Sequence, residues 1–480
     1  MALDAASRGL ATALVDAGDF GAGFSSFTSK VVWGAIELGS GHRRATERMS
    51  ELSVLNHTAR HLLWDLPIIE TSRPHARARR EITELIGSFC SGGAGHILER
   101  NLDRARALDR IPALTDAASA PTSMYSGAVV DDARLTLALA RTAALRFGAQ
   151  CSNRVGVNET RRDSNGRAVG AVLTAEPEGS GEHETISIAA RTTIDTTGRP
   201  TQGTGQEATR LYLAFPADLL VVDAAFVSAS TSILPWLDHV VLGVDLGDTS
   251  SKNTTPRSIV DGPTAQAALE RARASLDHGL TLNDLTGAWF GLSPDRGSLV
   301  RPLGRSGATI GDDGCIRAHT DNLTQARRLA AEAVDIAITQ LGYQTTIRPS
   351  RTRRMRLIGS GDRNEVRGLT APQLWHRYGT ESRVIQAMIR SNPELAVPAL
   401  ADAPFLLGEI VYAARYEMAR TIDDVVSRRW RIGLVDAKKA ISVAPTVADL
   451  LAAELGWDET TRRSQLDEFY RTGPAGMLSS

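Results

Sequence analysis

The 480-residue chain is 42% hydrophobic and 23% charged, as expected of an ordinary globular protein with two or three domains. Lysine and arginine number 54 against 55 aspartate and glutamate, so the formal net charge of −1 excludes a chain-wide field that would attract nucleic acid. Cys90, Cys151 and Cys315 lie far apart without metal-ligand or redox spacing, which favours buried thiols in a reducing compartment and predicts no metal site.

The first predicted elements are a helix and a short strand. The opening residues have the pattern of the later turns of a helix that ends at Gly9, and residues 12–15 form an apolar run closed by Asp16. An acidic residue after the second strand of a dinucleotide-binding unit usually holds a ribose hydroxyl. Asp16 is therefore a candidate cofactor ligand, and the alternative is that it only caps a turn.

A strand and a G-x-G-x-x-G loop are expected before this helix. The loop amides and the helix N-terminus together bind the pyrophosphate of a dinucleotide. The sequence opens inside the helix, so the loop is missing from it. Three explanations stay open: a truncated gene, a wrongly assigned start codon and a decayed copy.

The middle of the chain alternates helix and strand signals. Residues 130–150 carry apolar side chains at helical spacing up to Gly148, which predicts an amphipathic helix followed by a strand. Residues 154–190 form short runs separated by turn signals, which predict a three-stranded antiparallel meander. A further strand ends at residues 195–198, where small side chains let a ligand approach the backbone. This order is typical of two-dinucleotide flavoprotein folds.

The second half of the sequence divides into a mixed segment and a helical one. Residues 211–290 include a predicted hairpin at 234–248 and a predicted helix at 263–279, which suits a substrate domain built on an antiparallel sheet. After Ala371 the helical patterns repeat. Thr421 is a predicted cap, with acidic residues in the following turn and arginines at its end. We therefore expect a helical C-terminal domain.

The sequence gives no sign of export or of a membrane span. The most apolar stretch, residues 214–229, contains Asp218 and Asp223, and the opening residues lack the features of a signal peptide, so we expect a cytoplasmic protein. The basic stretch at residues 72–87 fits either a solvated helix or a peripheral contact with an anionic membrane. The glycine-rich stretch at residues 87–96 follows no predicted strand and is interpreted as a flexible loop.

A series of motifs runs in order from residue 2 to about residue 470. They are ALDAASRGLATALVDAGDF at 2–20, SSFTSK at 25–30, Tyr125 with VDDARL at 130–135, DTTG at 195–198, LTLNDLTGAWFGL at 280–292, HRYG at 376–379 and LLGEIVYAARYEMARTIDDVVSRR at 406–429. The series resembles the FAD-dependent, quinone-linked glycerol-3-phosphate dehydrogenases, and the chain is identified as a member of that family.

The resemblance implies an architecture of class α/β plus α. The expected fold is a two-dinucleotide-binding FAD flavoprotein fold, Rossmann-like and incomplete at its N-terminus, with a mixed α+β substrate domain and a C-terminal helical domain. The FAD-binding domain would comprise residues 1–40, 125–205 and 300–345. The substrate domain would comprise residues 41–124 and 206–299, and the helical domain residues 346–480.

The resemblance also implies a chemistry and a set of site residues. The C2 hydride of glycerol 3-phosphate would pass to flavin N5 and the electrons on to a respiratory quinone, while an unassigned base accepts the hydroxyl proton. Homo-oligomers and a peripheral place on the inner face of the membrane would fit the family. The implied FAD-binding residues are Asp16, Ser25, Ser26, Lys30, Thr197 and Gly198. The implied ligands of the substrate phosphate are Arg305 and Arg327.

The sequence departs from the family pattern at positions near the expected site. Lys30 and one glycine of the family's Lys-Ile-His-Gly-Gly stretch survive. The departures are Trp33 for the histidine, Glu37 for a following arginine, Ser293 for an arginine, and Thr320, Asp321 and Asn322 for Gly-Gly-Lys. With the missing loop they predict weak or absent FAD binding. Two alternatives therefore stay open: an impaired or inactive member, and a flavoenzyme for a related non-phosphorylated substrate.

Overall fold

The structure is a computed structural model that describes most of the chain. The described residues are 1–33, 42–71, 97–119, 122–175, 184–197, 210–228, 230–246, 259–291, 307–320, 323–366, 368 and 371–473. The helices are α1 Ala2–Ser7, α2 His42–Thr58, α3 Arg104–Arg110, α4 Asp116–Ser119, α5 Asp132–Phe147, α6 Gly262–Ala272, α7 Leu323–Gln340, α8 Trp375–Tyr378, α9 Ser382–Ser391, α10 Leu407–Tyr416, α11 Ile432–Val435, α12 Ala437–Leu455 and α13 Glu459–Thr472.

Strands account for much of the first two thirds of the chain. They are β1 Ala13–Val15, β2 Val31–Trp33, β3 Leu63–Thr71, β4 Ile97–Leu102, β5 Thr122–Val130, β6 Gln150–Ser152, β7 Val155–Arg162, β8 Ala168–Ala175, β9 Glu184–Ala189, β10 Ile194–Asp195, β11 Arg210–Pro216, β12 Ala225–Val227, β13 Thr231–Trp236, β14 His239–Asp245, β15 Gly287–Gly291, β16 Gly307–Ile310 and β17 Ile316–His319. The α/β plus α class predicted from the sequence is confirmed.

Short parallel ladders build the unit that follows the N-terminus. β1 pairs in parallel with β6, and β10 pairs in parallel with β17. Helices α1 and α5 share one hydrophobic core that includes Leu3 and Leu135. The predicted helix, strand and acid are confirmed, because α1 ends at Ser7 and Asp16 directly follows β1. Helix α5 likewise ends where its sequence predicts, with Gly148 in a left-handed conformation at φ 71°.

The predicted meander is present as a separate small sheet. β7, β8 and β9 pair antiparallel in that order. Leu173 at its centre is buried, whereas Val157 and Ile186, which lie in the same row on the outer strands, are exposed. The meander therefore has only a small core of its own.

A nine-stranded sheet forms the centre of the fold. Its order is β15-β11-β14-β13-β12-β3-β5-β2, and β4 pairs with β5 beside this path. The predicted hairpin is β13 and β14, whose two-residue turn, Leu237 and Asp238, has positive φ at both positions. Alternate side chains of β11 enter two different cores, Leu211 and Leu213 on one face and Tyr212 on the other. The first face is covered by α6, and the second face is the one that carries aromatic side chains.

The C-terminal region is helical, as predicted. Helices α10 and α12 pack around one core that includes Ile410, Trp430 and Val447. Between them, residues Asp424–Arg429 form a π-helical turn. Thr421 caps this turn, since its hydroxyl accepts a hydrogen bond from the Asp424 amide at 3.2 Å. Over the ranges that the structure describes, no helix has the length and apolar character needed to cross a membrane.

The large sheet extends past two of the domain boundaries expected from the sequence. β2 precedes the expected boundary at residue 40, and most of β5 follows the one at residue 125, yet both strands belong to the nine-stranded sheet. The expected boundaries at residues 40 and 125 therefore do not coincide with the edges of this sheet, and the division into domains stays a prediction.

The close approach of the C-terminal segment to β15 requires a glycine. The Ala437 amide donates a hydrogen bond to the Thr286 carbonyl at 2.9 Å, and a Cβ atom at Gly287 would lie 2.0 Å from the Leu434 carbonyl oxygen. We expect Gly287→Ala to lower the unfolding free energy by about 1–3 kcal/mol, as an overpacked core position does. Urea unfolding measures this. The control is Gly279→Ala, where an added Cβ meets nothing within 4 Å; equal losses in both variants would contradict the prediction.

Candidate functional site

Asp16 lies where the sequence predicts a ribose ligand. It follows β1, and its amide donates to the Ser152 carbonyl of the neighbouring strand at 3.1 Å. Its Oδ1 accepts a hydrogen bond from the Gly18 amide at 2.9 Å, so the residue also caps a turn. Burial raises the pKa of this carboxyl, and the charge of Asp19 adds to the rise. Within the described ranges its Oδ2 makes no hydrogen bond, which leaves one acceptor for a ligand hydroxyl.

The turn that carries Ser25, Ser26 and Lys30 has one exposed and two buried side chains. Ser25 is exposed, whereas Ser26 and Lys30 are buried. The Ser26 hydroxyl has no hydrogen-bond partner in the described structure, although it is shielded from solvent. A buried hydroxyl without a partner is uncommon and suggests a missing water or ligand. Of the two serines, Ser26 is therefore the better candidate for the predicted cofactor contact, because its buried hydroxyl lacks a partner.

The Lys30 ammonium is held by a carboxylate and a backbone carbonyl. Its Nζ donates to both Asp132 oxygens, at 3.0 and 2.9 Å, and to the Ser26 carbonyl at 3.0 Å. It also lies 4.8 Å from the ring centroid of Trp236 and 5.8 Å from that of Trp289. The lysine is 2% exposed. Cation–π contacts are stronger when they are shielded from water. The two indole rings therefore stabilise the Lys30 ammonium in this buried position.

Charges around Lys30 oppose one another. Burial and then the charge of Arg431 lower the pKa of Lys30 to about 8, against the opposing effect of Asp132. Burial alone would raise the pKa of Asp132, but Lys30 and Arg431 hold it below its ordinary value. Burial raises the pKa of Asp131, the neighbouring carboxyl. The result is a compact group in which two cations face two carboxyls.

A larger set of buried ion pairs joins the first unit to the C-terminal domain. Asp19 accepts hydrogen bonds from Arg429 at 2.5 Å and from Arg428 at 3.0 Å. Glu417 accepts one from Arg134 at 2.6 Å. Arg428 also pairs with Asp424. Separating the two parts of the chain would leave these buried charges without partners, which costs much free energy. The ion pairs therefore hold the C-terminal domain against the first unit.

The arginines of the motif TIDDVVSRR therefore have a different role from the one their spacing suggests. The sequence predicts acids and arginines placed along a helix to complement its dipole. In the structure Arg428 and Arg429 are buried and reach Asp19, more than 400 residues earlier, as the separations of 409 and 410 residues show. Tertiary ion pairs override the local pattern here.

Aromatic side chains cover the second face of the large sheet. Tyr212 stacks on Trp289 with ring centroids 5.4 Å apart, and Trp236 meets Trp289 edge to face at 6.4 Å. The Tyr212 ring needs space on both neighbouring strands, because a Cβ at Gly243 or at Gly291 would lie 2.7 Å from it. The indole nitrogens of Trp236 and Trp289 are buried without a hydrogen-bond partner among the described residues. This face lies beside Lys30.

Of the two predicted phosphate ligands, only Arg327 lies among the described residues. Arg327 is described and is paired with Glu51, whose carboxylate accepts from Arg327 Nε at 2.7 Å and from Nη2 at 2.5 Å. Such a bidentate pair uses the guanidinium edge that would otherwise bind a phosphate. Arg305 lies outside the described residues. The same holds for the other predicted positions Glu37, Gly198, Ser293, Asp321 and Asn322 and for the stretches at residues 72–87 and 87–96.

The second predicted cofactor turn is partly described. β10 ends at Asp195, whose Oδ1 accepts a hydrogen bond from the Thr197 amide at 2.8 Å, and Thr197 is exposed. Asp16 with its second carboxylate oxygen, Ser26 with its buried hydroxyl and the exposed Thr197 are the predicted cofactor residues that could each contact a ligand. Such polar groups are compatible with FAD.

Sequence reasoning missed several members of the group around Lys30. Arg431, Trp236 and Trp289 were not predicted as site residues, and Asp132 was noted only as part of VDDARL. A signal existed for Asp132, because two adjacent acids at the start of an apolar helix are one more than a cap requires. No local pattern distinguishes Arg431 from the arginines beside it.

Comparison with known proteins covers nearly the whole chain. The model of the family described as "FAD dependent oxidoreductase" matches residues 1–315, and that of the "C-terminal domain of alpha-glycerophosphate oxidase" matches residues 350–462. "Glycerol-3-phosphate dehydrogenase 2" of Mycobacterium tuberculosis is 28% identical over 100% of this chain and 86% of its own length. "Probable glycerol-3-phosphate dehydrogenase, mitochondrial" of Caenorhabditis elegans is 27% identical over 98% of this chain and 70% of its own length.

The fold also matches a solved structure. The glycerol-3-phosphate dehydrogenase from Bacillus halodurans complexed with FAD superposes with a TM-score of 0.75 at 19% identity, over 100% of this chain and 93% of that one. The predicted combination of a flavoprotein fold with a C-terminal helical domain is thereby confirmed.

Glu417 offers a direct test of the buried ion pairs. Arg134, Arg141 and Arg429 hold the pKa of Glu417 below its ordinary 4.5, although burial alone would raise it. We expect Glu417→Gln to lower the unfolding free energy by about 3–5 kcal/mol near neutral pH, because it leaves the buried Arg134 without its carboxylate partner. Urea unfolding followed by circular dichroism measures the loss.

The same substitution has a predicted pH dependence. A carboxyl with a lowered folded-state pKa stabilises the fold above its ordinary pKa, and this contribution disappears as the pH falls through the folded-state value. The difference between wild type and Glu417→Gln should therefore shrink below pH 4.5. Glu459→Gln, which removes a surface pair with Arg463, is the control. A constant difference at all pH values would count against the ionised pair.

Proposed function

This chain belongs to the FAD-dependent glycerol-3-phosphate dehydrogenase family, and we propose that it oxidises sn-glycerol 3-phosphate to dihydroxyacetone phosphate. The observation that carries the proposal is that both family models match in order and that named relatives align over essentially the full chain. When bound, FAD supplies the hydride acceptor and the route by which electrons leave to a quinone. The residues of the chain bind and orient the two ligands.

The cofactor would be held by residues that follow β1 and β10 and by the turn before β2. Asp16 has an open carboxylate oxygen for a ribose hydroxyl, and Ser26 has a buried hydroxyl without a partner in the described ranges. The exposed Ser25 beside it and Thr197 with Gly198 after β10 would provide further polar contacts. Lys30 is already bound to Asp132, so its part is to place positive charge near the cofactor without surrendering that pair.

The substrate would lie beside Lys30, at the edge of the aromatic face of the large sheet. A dianionic phosphate needs cationic ligands, and arginine is the best suited because its guanidinium binds two oxygens at once. Glu51 already occupies the bidentate edge of Arg327. Of the two predicted ligands, Arg305 is therefore our principal candidate and Arg327 the secondary one.

A second candidate function has a specific observation in its favour. The Arg327–Glu51 pair neutralises one of the two predicted phosphate ligands. Glu37 and Ser293 replace two arginines of the family and so lower the positive charge expected at the site. A related polyol without a phosphate would need less positive charge for binding. An inactive descendant of the family is the remaining alternative, and the experiment below separates the three.

The electron acceptor and the cellular place are further proposals. We infer that a respiratory quinone reoxidises the flavin, which would bring the protein to the inner face of the membrane as a peripheral protein. The basic stretch at residues 72–87 is the candidate contact, because clustered arginines attract anionic lipid surfaces. The protein would then be a cytoplasmic protein that binds the membrane reversibly, and it could do so as a homo-oligomer.

Flavin absorbance tests the proposed reaction directly. The purified chain is titrated with FAD, made anaerobic and mixed with sn-glycerol 3-phosphate, and we expect the oxidised flavin band to bleach because the flavin is reduced. Glycerol at the same concentration is the control. Bleaching by glycerol alone would favour the second candidate, and a chain that binds no FAD would be an inactive member. Reoxidation by an added short-chain quinone tests the acceptor.

The role of Arg305 is tested by substrate dependence. We expect Arg305→Gln to raise KM for glycerol 3-phosphate about 10- to 150-fold, because a hydrogen bond to a charged group contributes about 1.5–3 kcal/mol. Steady-state kinetics with an artificial electron acceptor measures KM. In Arg327→Gln the larger effect should be on thermal stability, since Glu51 loses its partner. An unchanged KM in Arg305→Gln would remove Arg305 from the site.

A further inference from the structure

Arg431 and Lys30 share the same two acceptors although they come from opposite ends of the chain. Arg431 Nη2 donates to the Ser26 carbonyl at 2.6 Å and to Asp132 Oδ1 at 2.8 Å. Lys30 Nζ donates to the same carbonyl and the same carboxylate, each at 3.0 Å. Two cations that bind one carboxylate and one carbonyl must lie close together. The position of either cation therefore depends on the other.

Both cations also lie against the same indole. Lys30 Nζ is 4.8 Å and the Arg431 guanidinium carbon 5.6 Å from the centroid of the Trp236 ring. Trp236 belongs to the aromatic face of the large sheet, with Trp289 as its neighbour. Arg431 lies between the π-helical turn and α11, so the C-terminal domain reaches this face through one side chain.

The backbone is strained at both residues. Lys30 has φ 60° and Arg431 has φ 69°, a region that residues other than glycine seldom adopt. A left-handed backbone conformation costs free energy, which must be offset by favourable contacts elsewhere. At both residues the side chain makes these contacts, because it donates at least two hydrogen bonds to Ser26 and Asp132. The anchored side chains hold their own backbones in place.

Few charged groups act on Lys30, and each can be named. Among the described residues the charged groups that act on it are Asp131 and Asp132 from the start of α5 and Arg431 from the C-terminal domain. After burial, Arg431 has the largest effect on the lysine. Removing the arginine charge would stabilise the ammonium, whereas removing Asp132 would do the reverse.

We propose that Arg431 is a positioning residue for Lys30, through which the C-terminal domain fixes the place and the charge of the cation beside the aromatic face. Arg431 acts by occupying the second position on Ser26 and Asp132 and by repelling the ammonium. The importance of this arrangement for catalysis rests on the proposed function, since it requires a cofactor or substrate at that face. The charge coupling itself exists in the chain without either ligand.

Lysine-specific NMR tests the coupling. The chain has four lysines, Lys30, Lys252, Lys438 and Lys439, so a protein labelled with ¹³C at lysine Cε gives few signals. The signal lost in Lys30→Arg belongs to Lys30. In the wild type we expect it to titrate near pH 8. In Arg431→Gln, which keeps an amide donor but removes the charge, the midpoint should move toward the ordinary lysine value of about 10.4.

Two further variants keep the test decisive. Arg431→Lys retains the charge and should leave the titration of Lys30 near that of the wild type. Arg154→Gln removes another partly buried arginine with a left-handed backbone, one that pairs with Asp424 instead of Asp132, and should not move it. A Lys30 midpoint that is the same in wild type and Arg431→Gln would overturn the proposal. If Arg431→Gln does not fold, Arg431→His takes its place, since an imidazole is neutral near pH 8, and a Lys30 midpoint in Arg431→His equal to that of the wild type would overturn the proposal as well.

Measurements on the chain without ligands separate this inference from the proposed function. If Lys30 responds to Arg431 but glycerol 3-phosphate does not bleach the flavin, the coupling stands and the reaction is wrong. With FAD added, the affinity for the cofactor is followed from pH 6 to pH 10 in both proteins. If the Lys30 ammonium lies at the cofactor, the FAD affinity should change as Lys30 titrates, and the pH of that change should be higher in Arg431→Gln than in the wild type. If Arg431 is only structural, Arg431→Gln should lower the FAD affinity by the same factor at every pH.

Discussion

The structure depends on one buried carboxylate, that of Asp132. It accepts hydrogen bonds from Lys30, from Arg431 and from the Thr28 hydroxyl, and it is fully buried. Removing the Asp132 carboxylate would leave Lys30 and Arg431 as two buried cations that repel each other, which is among the most costly changes a fold can undergo. The turn before β2, the start of α5 and the segment before α11 therefore cannot shift independently.

This constraint explains how the C-terminal helical domain is held against the group of residues around Lys30. Asp19, in the first unit, binds Arg428 and Arg429, while Arg134 in α5 binds Glu417. These pairs join the same two regions that Asp132 joins. A helical domain attached by apolar contacts alone could slide along the surface, whereas charges with directional hydrogen bonds fix its register. The aromatic face consequently receives Leu434 and Val435 in one fixed position.

The elements could be predicted from the sequence because their signals are local. Apolar spacing and Gly148 predict α5, and alternation with turn residues predicts the meander. Asp16 was placed correctly after β1 for the same reason. The partners of the buried charges could not be predicted, since Arg431 and Asp132 are 299 residues apart and Asp19 and Arg429 are 410 apart. Family resemblance implied a cofactor contact for Lys30 but gave no sign of which residues would surround it.

Charge balance decides which substrate the site can take. Arg134, Arg428, Arg429 and Arg431 are each paired with a buried carboxylate, and Arg327 is paired with Glu51. These arginines consequently add little net positive charge to the aromatic face, and each would have to exchange its carboxylate partner to bind a second anion. A dianionic phosphate must then be recognised by an arginine outside these pairs, for which Arg305 is the candidate. If Arg305 is not at the site, binding energy would come from hydrogen bonds and aromatic contacts, and a neutral polyol becomes the better ligand.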